Sequence, residues 1–305
     1  MKICVDQNEI ICNLRYVRLC DHIHSYTAWL DNGKYCKTIH NKNVYQQIKA
    51  DKRDVITLYY KMEYNNIYNL FDTLKDINKY IIIISGCSDY KVTLEILKKK
   101  PKNIIKWYGE NIENPNDSLI SLPMGSLSVT WVGNDISHAE IINHPDFTGL
   151  IKINNNIKKS KKLAFMCFSL ETNYNHRKEV YEYFRNMSWI SNLCKFNTNK
   201  YLNDEHFITN CYNHDFVICP FGNGIDCGRT WMALQLGSIP ILPYHISFVN
   251  WAEKLPIILY NDLNEITENY LISKKNEFAN KVFTYDYLKI SYWKSKWDED
   301  KKLIK

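Results

Sequence analysis

Between Cys219 and Leu242 the chain reads CPFGNGIDCGRTWMALQLGSIPIL, and this stretch limits the fold more than any other. Phe216 to Cys219 is a short continuous apolar run, as a strand buried on both faces requires, and Pro220 ends it by removing a ladder donor. Gly222 and Gly224 loosen the turn that follows. Asp226 stands where a helix N-cap belongs, a helix of about ten residues comes next, and Gly237 closes it. Ile239 to Leu242 is the next strand. Strand, loop, helix and strand in this succession predict a parallel α/β sheet.

A glycine-rich turn entering a helix leaves backbone N–H groups unpaired at the positive end of the helix dipole, an arrangement that suits a phosphate. Arg229 falls in the first turn, where the dipole alone favours an acid, so a cation there gains most when an anion arrives. An ordinary βα turn with Arg229 paired to a nearby carboxylate is the competing reading. Upstream, Leu163 to Phe168 reads as a strand, Ser169 to Asn175 as a polar loop and Arg177 to Phe184 as a helix. Arg177 repeats the logic of Arg229, and two arginines at two helix starts of one sheet make a pyrophosphate clamp.

The N-terminal half repeats the alternation. Asp54 to Tyr60 and Tyr80 to Ser85 read as buried strands, and Leu70, Phe71, Leu74 and Ile77 share a helical face between them. Ile3 to Val5 and Tyr26 to Leu30 are short alternating segments, and Asp31-Asn32-Gly33 is a turn signal. Ile104 to Tyr108 and Leu119 to Met124 supply further strands. Ligands of open α/β sheets gather at the carboxyl ends of strands, which makes Asp89, after the second strand, and Glu110, after the third, candidate general bases. Asp89 serves equally as an N-cap for a helix from Val92, and Glu110 as a surface carboxylate. His138 and His144 read as structural, and the polar run Lys152 to Lys162 as a domain boundary. The tail from Ser273 carries Phe278, Phe283 and Trp293 at amphipathic spacing, and its Asp298-Glu299-Asp300 reads as a solvated face.

The order Pro-x-Gly-Asn-Gly-x-Asp-x-x-Arg-x-Trp-x-Ala-Leu, then Gly-x-Ile-Pro-Ile, at Pro220 to Ile241 resembles the C-terminal motif of exostosin-like glycosyltransferases of the GT-B superfamily. IIIISGCSDYKV, the Trp107 to Asn111 and Leu122 to Gly125 segments, FSLETNYNHRKEVY and the Leu-Pro strand at Leu255 are similar to other parts of that family. The resemblance implies two Rossmann-like domains facing a cleft: an acceptor domain at 1–155, a nucleotide-sugar domain at 156–272 and a helical tail at 273–305 packing back. It implies an inverting, metal-independent transfer of sugar from a nucleotide-sugar to a glycan or other hydroxyl, with no cofactor. The donor diphosphate is expected on Arg177, Gly222, Asn223, Gly224, Asp226 and Arg229, and the base is Asp89 or Glu110. The family usually places an acid directly after the aromatic residue of the motif helix, and Met232 stands there instead. A non-catalytic nucleotide- or glycan-binding relative is therefore the alternative. A nucleotide-dependent ligase is a further rival, without a phosphate-loop or dinucleotide fingerprint to support it.

Composition narrows the rest. A length of 305 residues suits about two domains, and a formal charge of +6 spread over scattered lysines does not make a nucleic-acid stripe. The ten cysteines include no Cys-x-x-Cys pair. Cys20, His22 and His24 together are a minor metal candidate. The charged N-terminal segment is unlike a signal peptide, and no apolar run reaches the length of a membrane span, so a cytoplasmic location without an integral membrane segment is expected.

Overall fold

The computed structural model describes residues 9, 11, 13–30, 35–64, 66–125, 162–194 and 204–303. Ile3 to Val5, His138, His144 and the run from Lys152 to Lys161 lie outside the described residues. The chain divides into two compact units, one comprising Ile11–Thr148 with Lys289–Lys305 and the other Met1–Ile10 with Gly149–Leu288. Both are α/β, each built on one sheet.

The N-terminal unit runs α1 (Asn13–Leu19), β1 (His22–Leu30), β2 (Tyr35–His40), α2 (Val44–Ala50), β3 (Val55–Lys61), α3 (Ile67–Leu74), β4 (Tyr80–Gly86), α4 (Leu94–Lys98), β5 (Ile104–Gly109) and β6 (Leu119–Ser121). Its sheet order is β2-β1-β3-β4-β5-β6, and β2, the hairpin partner of β1, is the one antiparallel member among the described strands. The run Ile81 to Ile84 in β4 is wholly buried on alternating faces, which is why it reads as continuous rather than alternating hydrophobicity. Each such side chain removed from water contributes about 2–3 kcal/mol. On α3, Ile67, Leu70, Phe71 and Leu74 are buried at i, i+3, i+4 and i+7, and the helix ends at Leu74, three residues short of the expected Ile77.

The C-terminal unit runs β7 (Ala164–Met166), α5 (Tyr174–Phe184), β8 (Ile190–Asn192), α6 (Asp204–Asn213), β9 (Phe216–Ile218), α7 (Gly228–Gln235), β10 (Ile239–Pro243), α8 (Ile246–Lys254), β11 (Ile258–Tyr260) and α9 (Glu268–Ala279). Its sheet is ordered β11-β10-β9-β7-β8 with every pairing parallel. From β7 the chain steps to β8 on one side, then returns past β7 to β9, β10 and β11 on the other. The order reverses between β7 and β9, and that reversal opens a crevice at the strands' carboxyl ends. Gly237, at φ 78°, closes α7 as its sequence position implies, with Ser238 N–H bonded to Ala233 O at 2.9 Å.

The last helix, α10 (Ile290–Lys302), belongs to the N-terminal unit. Trp293 and Trp297 are 2% exposed and meet the ring of Tyr108, and Trp297 also meets Tyr16. The acidic triplet on this helix is not simply a solvated face. Asp300 is buried, accepts from Tyr108 Oη at 2.5 Å and lies 3.5 Å from Lys106 Nζ. Tyr108 and Trp107 are both buried in their own unit, the Trp107 indole donating to Ser85 Oγ at 2.8 Å.

Candidate functional site

The C-terminal unit draws its two arginines to the β7–β9 reversal. Arg177, in the first turn of α5, is 4% exposed; its Nε donates to Phe221 O at 2.8 Å and its Nη1 to Ser169 O at 2.9 Å. One guanidinium thereby ties the loop after β7 to the loop after β9. Arg229, second residue of α7, donates from Nε to Cys167 O at 2.7 Å, and its Nη1 lies 3.8 Å from Cys227 Sγ. Both planes are further fixed over aromatic rings, Arg177 above Phe168 at 5.8 Å and Arg229 above Phe207 at 5.9 Å. Backbone carbonyls orient the arginines without cancelling their charge. Among the described residues neither guanidinium is in an ion pair.

The electrostatics follow. Burial, and then the neighbouring charge of Arg229, pushes Arg177 down to about 10, so it stays cationic at neutral pH. Burial pushes the Cys219 and Cys211 thiols well up and Cys194 up to about 12, which keeps these three protonated beside Arg229. Two cations of like sign, Arg177 buried and Arg229 half-buried, beside two helix N-termini are stabilised by an arriving anion. Among the described residues no group of three His, Cys, Asp or Glu side chains is placed to hold a metal. Of the minor metal candidate, His22 Nε2 bonds Asp51 at 2.8 Å, His24 Nε2 bonds Tyr45 Oη at 3.0 Å, and Cys20 Sγ faces Tyr16 O at 3.2 Å.

The glycine-rich loop differs from its sequence reading in two respects. The N-cap of α7 is Cys227, and Asp226, 4% exposed, instead accepts from Trp231 Nε1 at 2.9 and 2.7 Å and from Cys227 N–H at 2.7 Å. Its carboxylate clamps the loop to the helix it precedes. Gly222 and Gly224 are absent from the positive-φ positions, so backbone freedom is not their use here. A Cβ at Gly222 would lie in ordinary contact with Arg177 Nη2, at 3.6 Å, and Asn173 Nδ2 holds Gly222 O at 2.8 Å. Asn223 is exposed at the loop tip. Met232 is 8% exposed, an apolar residue of the α7 packing face.

In the N-terminal unit the two candidate bases lie on the carboxyl ends of neighbouring parallel strands β4 and β5. Asp89 is exposed, and the N-cap of α4 is Thr93, whose hydroxyl accepts from Ile96 N–H. Glu110 is 3% exposed, not a surface carboxylate, and its Oε2 accepts from Cys87 N–H at 3.1 Å. Cys87 and Asn111 hold positive φ of 55° and 54° on the two loops, and Asn111 Nδ2 donates to Ser88 O at 2.7 Å. Glu110 thus braces the turn that presents Asp89.

Sequence reasoning missed the carbonyl anchors, Asn173, His176 and Tyr260. The ring of His176 lies 5.3 Å from that of Phe221, and Tyr260, at the end of β11, is 5% exposed. They come together through strand pairings that are not local in sequence, β7 with β9 and β10 with β11.

No helix among the described residues is long and apolar enough to cross a membrane. No family model matches the chain, and no curated protein matches it. The crystal structure of an alpha1,3-fucosyltransferase is similar at a TM-score of 0.44 with 10% sequence identity, over 83% of this chain and 79% of that chain, a distant likeness from which no chemistry is carried over.

Proposed function

We propose that the chain is a glycosyltransferase that moves a sugar from a nucleotide-sugar to a hydroxyl acceptor, a glycan or similar molecule, and releases a nucleoside diphosphate. The observation that carries this reading is the pair Arg177 and Arg229, fixed by carbonyls on either side of the β7–β9 reversal and without a protein counter-ion among the described residues. The motif resemblance at Pro220 to Ile241 supplies the reaction class.

In the proposed step the acceptor oxygen attacks the anomeric carbon as the bond to the diphosphate breaks, and the base takes the acceptor's proton. Negative charge grows on the departing diphosphate, where two oriented guanidiniums stabilise it without needing a divalent cation. Attack from the face opposite the leaving group inverts the anomeric centre. Asp89, exposed, is the preferred base; Glu110, buried against Cys87 N–H, is better suited to positioning. Met232 supports the second reading, a non-catalytic nucleotide- or glycan-binding protein, because it supplies no carboxylate to a ribose. Release of free nucleoside diphosphate on mixing the protein with nucleotide-sugars and a panel of saccharide acceptors separates the two. Turnover lost in Asp89→Asn supports the first reading, and binding without any release of diphosphate supports the second.

A further inference from the structure

Two buried polar atoms near the arginine site have no hydrogen-bond partner, His176 Nε2 and Tyr260 Oη. Tyr260 packs in one apolar cluster with Val180, one turn beyond His176 on α5, and its carbonyl accepts from Tyr244 N–H at 2.7 Å, so α5 and β11 bring these groups into one neighbourhood with Glu179 beside them on α5. That neighbourhood adjoins the arginines. The His176 ring packs on Phe221, whose carbonyl accepts from Arg177 Nε. The Phe221 ring also meets His245 and Phe248, and the adjoining Tyr244, after β10, is 48% exposed.

Buried donors and acceptors without partners are costly, and a bound group that pairs with them recovers the loss. The carboxylate of Glu179 repels a second phosphate from this place, so what fits is uncharged, polar at its edge and flat enough to lie among aromatic rings. The base of a nucleotide has those properties. We propose that His176 and Tyr260 form the subsite that reads the heterocycle of a nucleoside diphosphate, which lies with its phosphates at the β7–β9 reversal and its base toward β10 and β11. This rests on the reading of Arg177 and Arg229 as the phosphate site, and it adds a direction to the ligand and a pair of specificity-determining residues.

The test is calorimetric titration of wild type, Tyr260→Phe and His176→Leu with inorganic pyrophosphate and with the diphosphates of uridine, guanosine, adenosine and cytidine. Tyr260→Phe keeps the buried ring and removes only the hydroxyl, so it keeps the test independent of folding defects. Wild type is expected to prefer one nucleoside diphosphate over pyrophosphate by about tenfold or more. Each variant should cut that preference about three- to tenfold while leaving pyrophosphate affinity within about twofold. A preference undiminished in both variants overturns the subsite and leaves the phosphate site standing. Wild type that binds neither pyrophosphate nor any of the four nucleotides overturns the phosphate site, and this proposal with it.

Discussion

Asp226 is the residue whose role moves furthest from its sequence reading, and a double-mutant cycle measures the change. Both of its carboxylate oxygens accept from Trp231 Nε1, at 2.9 and 2.7 Å, inside a unit where Asp226 is 4% and Trp231 0% exposed. A hydrogen bond to a charged group contributes about 1.5–3 kcal/mol, and a buried partner left without one costs about 1–3 kcal/mol. Trp231→Phe removes the donor and leaves the carboxylate buried with one partner fewer; Asp226→Ala leaves the indole N–H without its acceptor. Each is expected to lower stability by about 2–4 kcal/mol, and the double variant to lose less than the sum by about 1.5–3 kcal/mol. Urea unfolding followed by tryptophan fluorescence gives the four free energies, with Trp251, 4.7 Å from Trp231, as a reporter that survives the substitution. Additivity within about 0.5 kcal/mol would refute the clamp and return Asp226 to a ligand-facing role.

Other consequences are as direct. A Cβ at Gly109 would fall 2.8 Å from Ser85 Oγ and 2.9 Å from Ile112 Cδ1, so Gly109→Ala should cost about 1–3 kcal/mol in urea unfolding. Burial and then the charge of His40 hold His24 down at about 4, whereas an unfolded imidazole titrates near 6.5. The unfolded chain therefore binds the proton first, and stability present above about pH 6.5 should fall by up to about 3 kcal/mol as pH drops toward 4. His24→Phe should flatten that part of the pH profile. Tyr108→Phe removes the hydroxyl that donates to Asp300 and should loosen α10, seen as faster proteolysis within residues 290–302.

What the sequence made legible is what local pattern encodes. The apolar runs of β4 and β9, the α3 stripe up to Leu74, the turn after β1 and the Gly237 stop all depend on neighbours within a few residues, and they appear where the pattern puts them. The convergence of Arg177 and Arg229 was foreseeable only as two helix starts of one sheet. That they flank a reversal depends on β9 pairing with β7 rather than β8, a non-local choice that no window of sequence records. Asp226 misled for a related reason. An acid before a helix is the ordinary cap, but here an indole five residues on competes for the carboxylate, and Cys227 takes the cap position. Asp300 shows the same limit, since an acidic triplet among lysines reads as solvated until Tyr108 and Lys106 are folded against it.

The central claim is that Arg177 and Arg229 together bind a diphosphate. Its most direct measurement is titration of wild type and Arg229→Ala with nucleoside diphosphates in the presence of a divalent-metal chelator, with urea unfolding of the variant as a check that it folds. Wild type is expected to bind at least one of them, and the variant to bind it about tenfold or more weakly, the loss of a charge-assisted contact to phosphate. Equal affinity in a folded Arg229→Ala variant would contradict the account.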